Sequence, residues 1–69
     1  MAAFIQVTDS LTGEPVAVNV DKVLTLRDRK GEEKSTTIID FGKSFVQCTE
    51  SVPIIASRIT KAVANLKRL

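Results

Sequence analysis

The strongest constraint on this chain is its last nineteen residues. Val52, Ile55, Ile59, Ala62, Leu66 and Leu69 recur at intervals of 3, 4, 3, 4 and 3. That spacing lines them up as one stripe of an α-helix. Val63 and Ala56 widen the stripe at one side, while Arg58, Lys61, Asn65 and Arg68 keep the same rhythm on the opposite side. Ser51 stands where an N-cap hydroxyl is useful, and Pro53 falls in the first turn, where a missing N–H costs nothing. Glu50 suits the positive end of the helix dipole, and Lys67 and Arg68 suit the negative end. The spacing therefore predicts a helix over residues 51–69 with a greasy face that needs a partner. The same stripe is close to a heptad seam, although it runs for fewer than three heptads.

Everything before the helix alternates like short strands. In residues 3–8, Ala3, Ile5 and Val7 share one face, with Phe4, Gln6 and Thr8 on the other. Residues 9–14 make a turn, Pro15 opens a second strand running to Asn19, and Asn19 caps a tight turn over residues 20–22. A third strand is expected over residues 23–29, with Leu24 and Leu26 on one face and Val23, Thr25 and Arg27 on the other. Residues 29–34 read as an exposed, mobile charged loop. Ser35 to Asp40, β-branched from Thr36 to Ile39, is the fourth strand. Phe41-Gly42-Lys43 turns the chain, and Ser44 to Thr49 is the fifth, with Val46 and Cys48 on one face. The expected fold is a single α+β domain over residues 1–69. A small twisted antiparallel sheet of four to five strands (residues 1–50), built as hairpins in a meander, is capped by one C-terminal amphipathic helix (residues 51–69).

A chain of 69 residues buries only about 60% of its unfolded surface. With three Phe, no Trp and no Tyr, the core falls to Val, Ile and Leu. One Cys and no His exclude an internal disulfide and the usual zinc sites, so no metal or other cofactor is expected. Small cores without such staples gain stability by association. If Phe4, Phe45 and Val23 cluster on the uncovered sheet face, they form an oligomer interface. A homo-oligomer is therefore expected, with room for a protein partner.

The start has no basic region and no long apolar run, and no stretch approaches a membrane span. A cytoplasmic setting follows, which suits a lone Cys48.

Charge is uneven. Residues 1–50 carry eight acids and six bases, net −2, whereas residues 51–69 carry four bases and no acid. Arg58, Lys61 and Arg68, with Arg27 and Lys43, are the candidate contacts for nucleic acid or a phosphate-bearing nucleotide. Against this, acids are interleaved near the hairpins and no aromatic stacking platform is present.

Catalytic patterns fail on their own terms. Gly42-Lys43-Ser44 matches the end of a phosphate-binding loop, but Thr37 stands where that loop needs its first Gly. Asp40-Phe41-Gly42 spells a kinase triplet without the rest of a kinase. Cys48 sits in an apolar alternation and reads as a core thiol. Glu32 and Glu33 are adjacent in a loop and hold no fixed separation. No catalytic residue is expected.

The run Val7-Thr8-Asp9, Gly13-Glu14-Pro15, Val18 to Val23, Thr37-Ile38-Ile39, Gly42-Lys43, Glu50-Ser51 and Ile55 resembles the FlbD-like small proteins of bacteria and phages. The resemblance implies a hairpin, an Asn-x-Asp-x-Val turn, a second hairpin, and Glu-Ser opening a helix. Members of that family are associated with flagellar motility. This chain departs from the pattern by a charged insertion at residues 29–34 and a longer, more basic helix, and the resemblance carries over no functional residue.

Overall fold

The computed structural model describes residues 3–31 and 34–67. The protein is a small α+β fold of five strands in two antiparallel sheets, followed by one helix. The strands are β1 (Phe4–Thr8), β2 (Pro15–Asn19), β3 (Thr25–Lys30), β4 (Ser35–Asp40) and β5 (Phe45–Cys48), and the helix is α1 (Val52–Lys67). The strands do not share one sheet. β1 pairs with β2, and β3, β4 and β5 form a second sheet in that order. The two sheets meet at a corner, where Asp9 bridges to Cys48. There the Thr49 N–H donates to the Thr8 carbonyl and the Ser10 N–H to the Gln47 carbonyl.

The β1–β2 and β4–β5 turns are built by side chains that mimic backbone. Asp9 Oδ1 accepts from the Leu11 N–H, and the Gly13 N–H closes onto the Asp9 carbonyl. Gly13 takes φ +75°, which an L side chain resists. Asp40 Oδ1 accepts from the Gly42 N–H, with Gly42 at φ +95°. The kinase-like triplet thus serves as a turn. Asn19 Oδ1 accepts from the Asp21 N–H at the head of the short 3-10 turn Val20–Lys22, as expected.

The third strand differs from its expectation. It starts at Thr25, two residues later than expected, and ends at Lys30, one residue beyond the expected strand. Val23 and Leu24 precede it, so pleat alternation does not govern them. Val23 packs against the core and Leu24 is 68% exposed, while Leu26 packs inward. Glu32 and Glu33 lie outside the described residues.

The core is a cluster of Ile5, Val7, Val18, Ile39, Cys48 and Ile55, which draws on both sheets and the helix. Ile55 is the anchor of α1, with no exposed surface. Ile59 and Ala62 pack beside the cluster, Val52, Val63 and Leu66 are half-buried, and Ala56 is exposed. The stripe therefore faces inward, most deeply at its N-terminal end. Leu69 and Arg68 lie outside the described residues. Ser51 holds the cap position, since its carbonyl accepts from the Ile55 N–H. Its hydroxyl makes no capping bond among the described residues. The described helix is neither long nor apolar enough to cross a membrane.

Candidate functional site: the outer edge of strand β1

In an antiparallel strand, the N–H and C=O of one residue point the same way and alternate along the chain. The Ala3 carbonyl and the Asp9 N–H both bond toward β2. Odd positions of β1 therefore pair with β2, and Phe4, Gln6 and Thr8 present their backbone groups to the outer edge. β5 would be the neighbour there, but it leaves the corner and turns into α1. The edge is left to side chains.

Glu50, the residue before the cap, fills most of the vacancy. Its carboxylate accepts from the Thr8 N–H at 2.8 Å, from the Thr8 hydroxyl at 3.2 Å and from Arg58 Nη1 at 2.8 Å. Its carbonyl accepts from the Thr37 hydroxyl at 2.7 Å, and Thr37 is fully buried. One residue thereby ties β1, β4 and α1 together. Arg58 completes the closure by donating to the Gln6 carbonyl at 2.7 Å. The Glu50 side chain is only 12% exposed and that of Arg58 44%.

Burial alone would raise the Glu50 carboxyl. The Thr8 N–H, the Arg58 guanidinium, its own backbone N–H and the Thr8 hydroxyl outweigh that and hold it below its usual value. Cys48, beside this network, is pushed up, first by burial and then by the Glu50 charge, with backbone donation and Arg58 opposing. It remains a protonated core thiol whose Sγ lies 3.5 Å from the Thr37 carbonyl. Such a thiol is a poor nucleophile.

Toward the start of β1 the closure stops. The Phe4 N–H, the Phe4 carbonyl and the Gln6 N–H have no partner among the described residues. They border a groove of about 520 Å³ between β1 and α1, with Phe4, Gln6, Lys61, Ala62 and Asn65 on its walls. The Phe4 side is 60% exposed.

The residues singled out from the sequence are dispersed. The basic side of α1 does not look away from the sheet: Arg58 is folded back onto β1, and Lys61 and Asn65 flank the same edge. Arg27 stands on the other sheet. It pairs across to Ile38, on the face opposite to Ile39 and Cys48, and Lys43 is in the β4–β5 turn. Phe45 is exposed on β5, paired with Asp40. Val23 is half-buried against the core. Comparison with protein families, with characterised proteins and with solved structures gives no match.

Sequence reasoning missed Glu50. It read the residue as a dipole partner, whereas the carboxylate turns back to a strand 42 positions earlier. The one available signal was the pairing of a lone acid at the mouth of an otherwise purely basic segment with a Thr ending the first strand.

Proposed function

We propose that this chain is a non-enzymatic binding and assembly protein that works as a homo-oligomer. The FlbD-like resemblance agrees with a role as a bacterial or phage accessory factor. The observation that carries the reading is the open stretch of β1, where unpaired backbone groups and an exposed Phe4 ring lie side by side. Unpaired strand edges and exposed aromatic surface both favour association. The smallness of the core, a cluster of six buried residues among those described, adds a reason to bury more. No cofactor is needed for such a role.

Binding of nucleic acid or a phosphate-bearing nucleotide is the competing reading, and it finds less support. The Arg58 guanidinium is already bonded to Glu50 and Gln6, which leaves Lys61 as the described free cation of that helix side. Light scattering at micromolar concentration tests the leading reading. An oligomer whose mass barely responds to salt supports it. A 7.5 kDa monomer that binds single- or double-stranded DNA with a steep salt dependence contradicts it.

A further inference from the structure

The two sheets have four edge strands, β1, β2, β3 and β5, and they are not equally guarded; β5 is met at its C-terminal end by Asp9 and Ser10. β2 opens with Pro15, which lacks a donor. β3 carries Arg27, Asp28, Arg29 and Lys30 in succession, and charge on an edge discourages pairing. β1 has no charged residue and no proline over Phe4–Thr8. Among the described residues its guards are the Thr49 N–H on the Thr8 carbonyl and the Glu50–Arg58 closure, which covers the Thr8 N–H and the Gln6 carbonyl.

We propose that β1 pairs antiparallel with β1 of a second copy across a twofold axis at Ile5, which rests on the homo-oligomeric reading above. Only certain registers are open to such a pair. Outward-facing residues must meet outward-facing residues, so even positions pair with even positions. Placing the axis at Ile5 sets Phe4 opposite Gln6 of the second copy, and the reverse. The Phe4 N–H then donates to the second copy's Gln6 carbonyl, and the second copy's Gln6 N–H donates to the Phe4 carbonyl. Symmetry repeats both bonds. All three open groups of each copy are thereby used. The Gln6 carbonyl keeps its Arg58 bond, because a carbonyl oxygen has two lone pairs.

Side chains agree with this register. On the inward face Ala3, Ile5 and Val7 are already buried within each copy, so the two apolar rows come side by side across the axis with no polar group between them. On the outward face each exposed Phe4 ring lies against the aliphatic stem of Gln6. No charged residue of β1 opposes a like charge. Two two-stranded sheets become one four-stranded sheet, which removes the unprotected edge from each copy.

The test compares Gln6→Pro with the unaltered protein by size-exclusion chromatography with light scattering. Proline at position 6 deletes an outward N–H and leaves the inward β1–β2 ladder intact. The unaltered chain should run as a dimer of about 15 kDa, twice its 7.5 kDa mass. Gln6→Pro should run at half that mass with an unchanged circular dichroism spectrum. A dimeric, folded Gln6→Pro overturns the edge pairing while leaving assembly standing. A monomeric parent chain overturns both and leaves the groove to an extended segment of another protein. Should Gln6→Pro fail to fold, the double variant Phe4→Cys with Gln6→Cys decides. Residues in a hydrogen-bonded pair sit about 5.5 Å apart between Cα atoms, within disulfide range. Mild oxidation should give a covalent dimer on a non-reducing gel, and its absence overturns the register.

Discussion

Along its outer edge β1 is shut at one end and open at the other. At Thr8 the N–H and carbonyl are both taken, by Glu50 and by the Thr49 N–H. At Phe4, four residues earlier, neither group has a partner among the described residues. The two ends belong to one strand and share one neighbour, α1. What separates them is distance from the corner. β5 accompanies β1 only as far as the Asp9–Cys48 bridge. Beyond it a carboxylate and a guanidinium reach over the next stretch of strand, and then their length runs out. A strand edge can be protected by side chains only as far as they extend.

The comparison can be broken most severely from below. Ile55 anchors the helix that carries Arg58 and Lys61, and its replacement by Ala removes a fully buried side chain. A loss of about 3 kcal/mol in urea unfolding is expected, as for comparable core truncations. Ile59 is only partly buried, so Ile59→Ala should cost visibly less. Equal costs would mean that the helix docks in a different rotation.

Glu50→Ala attacks the closed end itself. It leaves the Thr8 N–H and hydroxyl without their acceptor and Arg58 with the Gln6 carbonyl alone, and a stability loss of about 2 kcal/mol is expected. The open end should be indifferent to this change in its chemistry, so Lys61→Ala should stay within about 0.5 kcal/mol of the parent. A Glu50→Ala melting curve that overlays the parent would show that the closure is decorative.

Acid sharpens the same contrast. The folded Glu50 carboxyl titrates below its usual value, so the unfolded chain takes up that proton first as pH falls. Its contribution is fully present above the ordinary glutamate range, about 4.3, and is lost as pH drops through the lower folded value. Stability of the parent should therefore fall more steeply on acidification below about pH 5 than that of Glu50→Gln. Parallel curves for the two would remove Glu50 as the source.

The smallest effect belongs to the ion pair alone. Arg58 is nearly half exposed, so water screens much of its attraction to Glu50. A double-mutant cycle of Glu50→Ala with Arg58→Ala should give a coupling of about 0.5 kcal/mol. Most of the Glu50 effect would then come from Thr8.

Much of this fold is legible in the residues because its signals are local. Pleat alternation in residues 3–8 places Ile5 and Val7 inside and Phe4 outside, and the 3–4 spacing picks Ile55 and Ile59 for the inner face of α1. Gly13, Asn19 and Gly42 announce their turns by chemistry that needs no tertiary partner. Alternation fails at Val23 and Leu24, because those residues leave a turn before the ladder begins. The division into two sheets is not legible either. It depends on where β5 stops following β1, a meeting of residues some forty positions apart. Arg58 illustrates the same limit. Helical spacing says which side it is on, and only the corner says that β1 is within its reach.

Amide hydrogen exchange, residue by residue and at two protein concentrations, measures the central contrast directly. The Thr8 amide should exchange slowly in dilute and in concentrated solution alike. The Phe4 and Gln6 amides should exchange quickly when dilute and slow down as copies pair. A Thr8 amide that exchanges as fast as Gln6 in dilute solution would contradict the account.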